Sequence, residues 1–228
     1  MPKLKLALKH YTHLIPKTPQ PINPSPTFEA PHPIPLCVPW WDQSAALSAG
    51  TQYSPQDQFF APTGSWLPNF KNWLPAMYDP DLHRKALIPD MLPITSWEQN
   101  LRTHLPPHVW DRIRKHVYAS SGGRCEICAA SGPLEAHERW TLHNETLVQE
   151  LSQLMSVCPT CHKAFHLGFA KSSGMLPAVK QKLLQVNQWS PDEVDSQIQL
   201  AHDAWEQRAH WPWTLNLDYI YKNGLLYV

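Results

Sequence analysis

The sequence has no net charge. Nineteen Lys and Arg stand against nineteen Asp and Glu, so with histidine neutral the formal charge is zero. No global basic field draws the chain onto nucleic acid or an anionic membrane, and binding of either kind needs a local patch. Long apolar runs are missing too: no stretch reaches the roughly 18 residues of a membrane-crossing helix. The N-terminal MPKLKLALKHYTHL breaks each apolar step with Lys or His and lacks the apolar region of a secretion signal. A cytoplasmic protein without membrane contact is expected. Cysteine is sparse, at five residues, and four of them form two C-x-x-C pairs, Cys125/Cys128 and Cys158/Cys161. In a reducing compartment that pattern favours metal-bound thiolates over disulfides, with Cys37 left as a plain thiol.

Three residue types are plentiful instead: 24 Pro, 11 Trp and 13 His. Nineteen of the prolines fall at or before Pro107. Proline removes a backbone donor and constrains its predecessor, so residues 1–36 are expected to form an extended arm. Residues 37–106 interleave proline with Trp40, Trp41, Phe59, Phe60, Trp66, Phe70, Trp73 and Trp97. So many aromatics are not left in water, and this segment is expected to wrap over the later domain or to grip a protein partner.

Regular elements become legible after Pro107. In PHVWDRIRKHVYASSGG, Val109, Ile113 and Val117 recur every four residues between a leading proline and a closing Gly122-Gly123, which predicts a helix of about three turns. A knuckle around Cys125 and Cys128, a short strand and a second strand over about 146–157 follow. Pro159 then opens a helix on which His162 and His166, four apart, share one face. This module is placed at 107–172. Residues 173–228 are expected to be a helical extension, with Ser190-Pro191-Asp192-Glu193 as a capping box and LNLDYIYKNGLLYV as a terminal hairpin around Asn-Gly. The fold class is α+β.

Two C-x-x-C pairs suit a tetrahedral four-thiolate zinc site in which each knuckle contributes two ligands. A redox reading of Cys158-Pro159-Thr160-Cys161 at a helix start leaves the other pair unexplained. His137, His162 and His166 then remain as polar residues grouped around the same knuckles. Such a set can bind a second metal with open positions, as a catalytic site needs. Imidazole favours Zn, Ni or Mn over Mg.

Leu134-Glu135-Ala136-His137-Glu138, followed by Val157-Cys158-Pro159-Thr160-Cys161-His162-Lys163-Ala164-Phe165-His166, resembles the HNH endonuclease family, with its zinc-stapled ββα-metal core. The likeness runs from about Arg124 to Gly168. It implies a metal-dependent endonuclease acting on DNA, with a structural Zn2+ and a second divalent metal (Zn2+, Mn2+, Ni2+ or Mg2+). In that family a strand supplies a metal ligand followed by a His general base, and the helix supplies Asn or His ligands. Carried over, His137, His162 and His166 are the ligands, and Glu138 stands in the base's place. Glutamate accepts a proton, but its ordinary pKa of about 4.3 makes it the weaker base unless burial raises it. Neighbouring strand residues point to opposite faces, so His137 and Glu138 share a site only where the strand bends, and Arg139-Trp140 breaks the alternation. His143 and Asn144 are further polar candidates for supplying or orienting a base.

For DNA contact the candidates are Arg112, Arg114, Lys115, Arg124, Arg139, Lys163 and Lys171. Over 101–171 eight Lys and Arg exceed six Asp and Glu by two, a modest patch. Glu138 and the neutral charge support a rival reading: an HNH-like zinc module without catalysis that binds nucleic acid or protein.

Overall fold

The computed structural model describes residues 28–79 and 87–228. Most of the expected N-terminal arm therefore lies outside the described residues. The architecture is mixed α+β, with two small sheets among the described residues.

Closely spaced prolines permit only short elements in the first unit. Strand β1 (Ile34–Pro35), helix α1 (Gln43–Ser48), β2 (Gln52–Ser54) and β3 (Gln58–Ala61) build an antiparallel sheet in the order β1-β3-β2. Phe59, Phe70 and Trp73 pack beneath it with Ile34 and Leu36. The Trp73 indole donates to Oδ2 of Asp42 at 2.7 Å. Three of the eight aromatics expected to wrap the later domain thus form a core of their own. Wrapping is done by the chain on either side of residue 80. Ala76 and Met77 N–H groups donate to Glu126 and Ile127 carbonyls at 2.8 and 3.0 Å, and Asp90 N–H donates to Phe165 O at 2.8 Å.

Asn100 caps the short helix α2 (Leu101–His104), its side chain accepting from Thr103 N–H at 3.2 Å. Helix α3 (Pro107–Ser120) starts at a proline, whose missing N–H costs nothing there, and buries Trp110, Ile113 and Val117. Strands β4 (Glu135–His143) and β5 (Val148–Val157) pair antiparallel, with His137 opposite Met155 and a register shift between Arg139 and Trp140. Helix α4 (Pro159–Phe165) follows directly, then α5 (Leu167–Ser172), α6 (Leu176–Asn187) and α7 (Pro191–Arg208). The Ser190 capping box forms as expected: the Ser190 hydroxyl accepts from Glu193 N–H at 3.2 Å and Glu193 accepts from Ser190 N–H at 2.8 Å.

Strand alternation sends β4 and β5 side chains to two cores. Trp140 and Leu151 pack against Trp110 and Ile113 of α3. Met155 and Val157 pack on the other face against Phe165 of α4 and Leu183 of α6. Burying a side chain of this size contributes about 1.5–3 kcal/mol, so the sheet is clamped from both sides.

The expected terminal hairpin does not form. Strand β6 (Thr214–Asn216) joins β5 in parallel, and residues Asp218–Lys222 make a short helix, α8. Asn223-Gly224 ends that helix, with Gly224 at φ 64. The left-handed conformation that Gly offers serves a helix terminus as readily as a hairpin turn. With sheet order β4-β5-β6, β4 is a free edge.

Candidate metal centre

The first knuckle folds back on itself through Ala129 N–H to Cys125 O at 2.8 Å and Cys125 N–H to Ala130 O at 2.9 Å. Ala129 sits at φ 60, a left-handed turn position. The second knuckle is the junction of β5 and α4: Cys158 is the N-cap, Pro159 occupies the first turn, and Cys161 lies one turn in. All four thiol sulfurs lie within 4.8 Å of one another. Cys128 Sγ is 3.8 Å from Cys158 Sγ and 3.7 Å from Cys161 Sγ. A tetrahedron with Zn–S bonds of about 2.3 Å has edges of about 3.8 Å. The cluster therefore fits one metal ion such as zinc, and it unites the two C-x-x-C pairs in a single site. Hydrogen bonds among the four thiols push Cys128 down to about 7 and Cys158 lower still while raising Cys125 and Cys161. Cys37 stands apart: it is buried, its thiol donates to Cys125 O at 3.8 Å, and burial raises its pKa.

Next to this staple, His137 of β4, His162 of α4 and His166 at the α4/α5 junction come together. Their ring centroids form a near-equilateral triangle of 5.1, 5.0 and 4.9 Å, each pair tilted by 68–72°. His137 is 1% exposed and lies flat on Phe165, 4.1 Å between centroids. Both of its ring nitrogens are buried without a hydrogen-bond partner. Burial pushes His137 far below the usual imidazole range and His166 down to about 4, which holds both rings neutral, the form that binds metal. His162 differs, because its Nδ1 donates to Oε2 of Glu135 at 2.5 Å. That bond fixes the ring and leaves Nε2 for a ligand, the arrangement in which a carboxylate orients a metal-binding histidine. Glu135 was not picked out from sequence. Its signal was its position two residues before His137, which puts both on one face of a strand.

Glu138 points the other way. The register shift falls after it, at Arg139/Trp140, so alternation is intact at 137/138 and no bend brings the two side by side. Its Oε1 accepts from Leu101 N–H at 3.1 Å, Oε2 is buried without a partner, and burial lifts the carboxyl to about 7. It still lines the same cleft as His162 and His166, a space of ≈ 420 Å³ along the free edge of β4. His143 lies outside the cleft. It ends β4 six residues beyond His137, about 20 Å along an extended strand, and pairs with Glu150 at 2.8 Å.

The candidate DNA contacts scatter. Arg124 leaves the set: it is 7% exposed, and its guanidinium donates to Ala129 O at 3.0 Å and to Asp57 O, tying the knuckle to the first unit. Arg114 and Lys115 both pair with Asp111 on α3, and Arg112 reaches Leu226 O at 3.2 Å. Arg139 lies over the Phe165 ring at 4.9 Å, and Lys171 is exposed on α5. Only Lys163 of the seven lines the histidine cleft, where Trp97 of the aromatic-rich segment joins it and Arg102 and Phe169 join it unforeseen.

No helix among the described residues is long and apolar enough to cross a membrane. Comparison with protein-family models, with curated proteins and with solved structures finds no match.

Proposed function

We propose that the chain is a metal-dependent endonuclease of the HNH, ββα-metal kind, hydrolysing phosphodiester bonds in DNA. The observation that carries the reading is the triangle of His137, His162 and His166 where an antiparallel strand pair meets the following helix, directly against a four-cysteine cluster. The cysteines would hold structural Zn2+, and the three histidines a second divalent ion. That second ion would supply a Lewis acid for the charge that builds on the phosphoryl group and its departing oxygen.

The chain's own residues do the rest. His162 follows Cys161 directly, so the zinc staple fixes the start of α4 and with it the distance from His162 to His137. Phe165 holds the His137 ring by stacking, and Glu135 holds the His162 ring through Nδ1. Glu138, in the same cleft, takes the proton of the attacking water as the new P–O bond forms and the P–O3′ bond breaks. Lys163 and Arg102 orient the phosphate by charge-assisted hydrogen bonds.

The test is cleavage of supercoiled plasmid and of single-stranded DNA by zinc-loaded protein with added Mn2+, Ni2+, Mg2+ or Zn2+, compared with His166→Ala. Cleavage by wild type alone supports the enzyme. One observation favours the rival, a zinc module without catalysis: Glu138 Oε1 is engaged by the Leu101 backbone on the face opposite His137. A folded, zinc-bound protein that cleaves with none of the four metals identifies that rival.

A further inference from the structure

The histidine cleft has a lining that phosphodiester hydrolysis does not need. Trp97 and Phe169 border it, yet they are 67% and 55% exposed. Large rings left this open on the wall of a cleft are unusual, since each exposes apolar surface that folding ordinarily buries. They stand on separate elements. Trp97 follows a 3-10 turn before α2, and Phe169 lies in α5. Two cations share the lining: Arg102, and Lys163, whose ammonium sits 5.9 Å from the Phe169 ring centre. Two carboxylates face the same space, Glu135 and Glu138, the first held by His162 and the second by Leu101 N–H.

We infer that this cleft takes unpaired, single-stranded DNA, with bases stacked on Trp97 and Phe169 and the backbone led past Arg102 and Lys163 to His162 and His166. The inference names the substrate class for the proposed nuclease and rests on that reading only for the cleavage step. A duplex shows phosphates outward and keeps its base faces stacked inside, so exposed rings gain nothing from it. Its tight binding also calls on many phosphate contacts, and this cleft offers two cations against two carboxylates. Single strands present the faces of their bases, and aromatic rings with a few cations are the lining that binds them without sequence preference.

The experiment measures fluorescence anisotropy of labelled oligodeoxynucleotides, about 20 nucleotides single-stranded or 20 base pairs duplex, with the full zinc-loaded chain carrying His166→Ala to prevent cleavage. The single strand is expected to bind at least ten-fold more tightly. Its salt dependence is expected to be shallow, with a log–log slope of about −1.4 for two phosphates. Trp97→Ala and Phe169→Ala in this background are each expected to weaken single-strand binding by roughly 5–150-fold, the worth of one stacked base. Trp97→Phe is expected to restore most of it. Because both rings are exposed, unchanged melting of the variants separates lost contact from lost fold. Equal or tighter duplex binding overturns the inference, as do alanine variants that bind like their parent, or tighter binding of the matching RNA. Single-strand binding that depends on Trp97, in a protein whose wild type nicks nothing, sustains the cleft while removing the nuclease. Duplex nicking indifferent to Trp97→Ala does the reverse.

Discussion

Oε2 of Glu135 lies 2.5 Å from Nδ1 of His162, across the gap between β4 and α4. This bond joins the two elements that bring His137 and His166 together, and it leaves His162 Nε2 as the ring's other nitrogen for a metal. Outer carboxylates of this kind are worth about 10–100-fold in metal affinity. Glu135→Gln is expected to weaken binding of the second metal by that factor while leaving the four-cysteine site filled. Titration calorimetry with Mn2+ or Zn2+ on zinc-loaded protein checks it. Unchanged affinity would mean that the carboxylate plays no part in orienting the ring.

The cysteine cluster carries a different expectation. Knuckle, strand end and helix start meet at four thiols, and Cys125 and Cys161 are fully buried beside Phe165 and Val157. A structural zinc site supplies about 10–16 kcal/mol of apparent binding free energy, comparable to the whole stability of a domain. Cys125→Ser and Cys161→Ser are therefore expected to give insoluble or protease-sensitive protein with less than one zinc per chain. Prolonged chelation of wild type is expected to abolish its cooperative melt. A Cys161→Ser variant with full zinc content and unchanged melting would show that the cluster is not the zinc site.

The two cysteine pairs and the histidine spacing were legible because ligand geometry imposes its spacing directly on the sequence. Helix α3 and the start of α7 were legible from their leading prolines and apolar period, and the Ser190 capping box from four adjacent residues. The first unit was not. Its strands are two to four residues long, too short for a period-two pattern to register, so Phe59, Phe70 and Trp73 could not be told from a partner-binding stripe. Asn223-Gly224 reads as a hairpin turn and forms a helix end, because both draw on the same left-handed residue. The break at Arg139-Trp140 was legible, but its extra residue is Ser152 of β5, so β4 keeps its alternation at 137/138 and Glu138 turns away from His137.

The close approach between the first unit and α3 makes a third prediction. Gly122, at φ 61, ends α3, and a Cβ there would lie 2.3 Å from the Val38 carbonyl oxygen and 2.9 Å from its carbon. Backbone cannot swing aside as a side-chain tip can. Gly123, at φ 74, has nothing within 4 Å of such a Cβ. Gly123→Ala is expected to cost only the left-handed penalty of about 1–2 kcal/mol, a fall in Tm of roughly 2–8 °C for a chain this size. Gly122→Ala adds a backbone clash and is expected to fall well beyond that range. Thermal melts of the two variants side by side check the contact, and equal losses would show that the Val38 approach is not tight.

The last prediction concerns the proton acceptor. If Glu138 takes the water's proton, Glu138→Gln removes the basic oxygen while an amide oxygen still accepts from Leu101 N–H, so fold and metal content are expected to persist. The rate is expected to fall by about 10²–10⁴-fold, the usual worth of a positioned general base. Glu138→His places the resembled family's residue there. On this geometry it gives up the carboxylate bond to Leu101 N–H and still faces the cleft from the opposite side of β4 to His137. Activity equal to or above wild type in Glu138→His, with Glu138→Gln inactive, would establish position 138 as the base whatever its side chain. Wild-type nicking by Glu138→Gln would instead move the proton to another group. His143 is too far along β4 to serve, and Glu135, the other carboxylate in the cleft, is already committed to His162. Solvent would then be left to accept the proton, and the nicking rate would rise with pH without a plateau at the titration of any side chain.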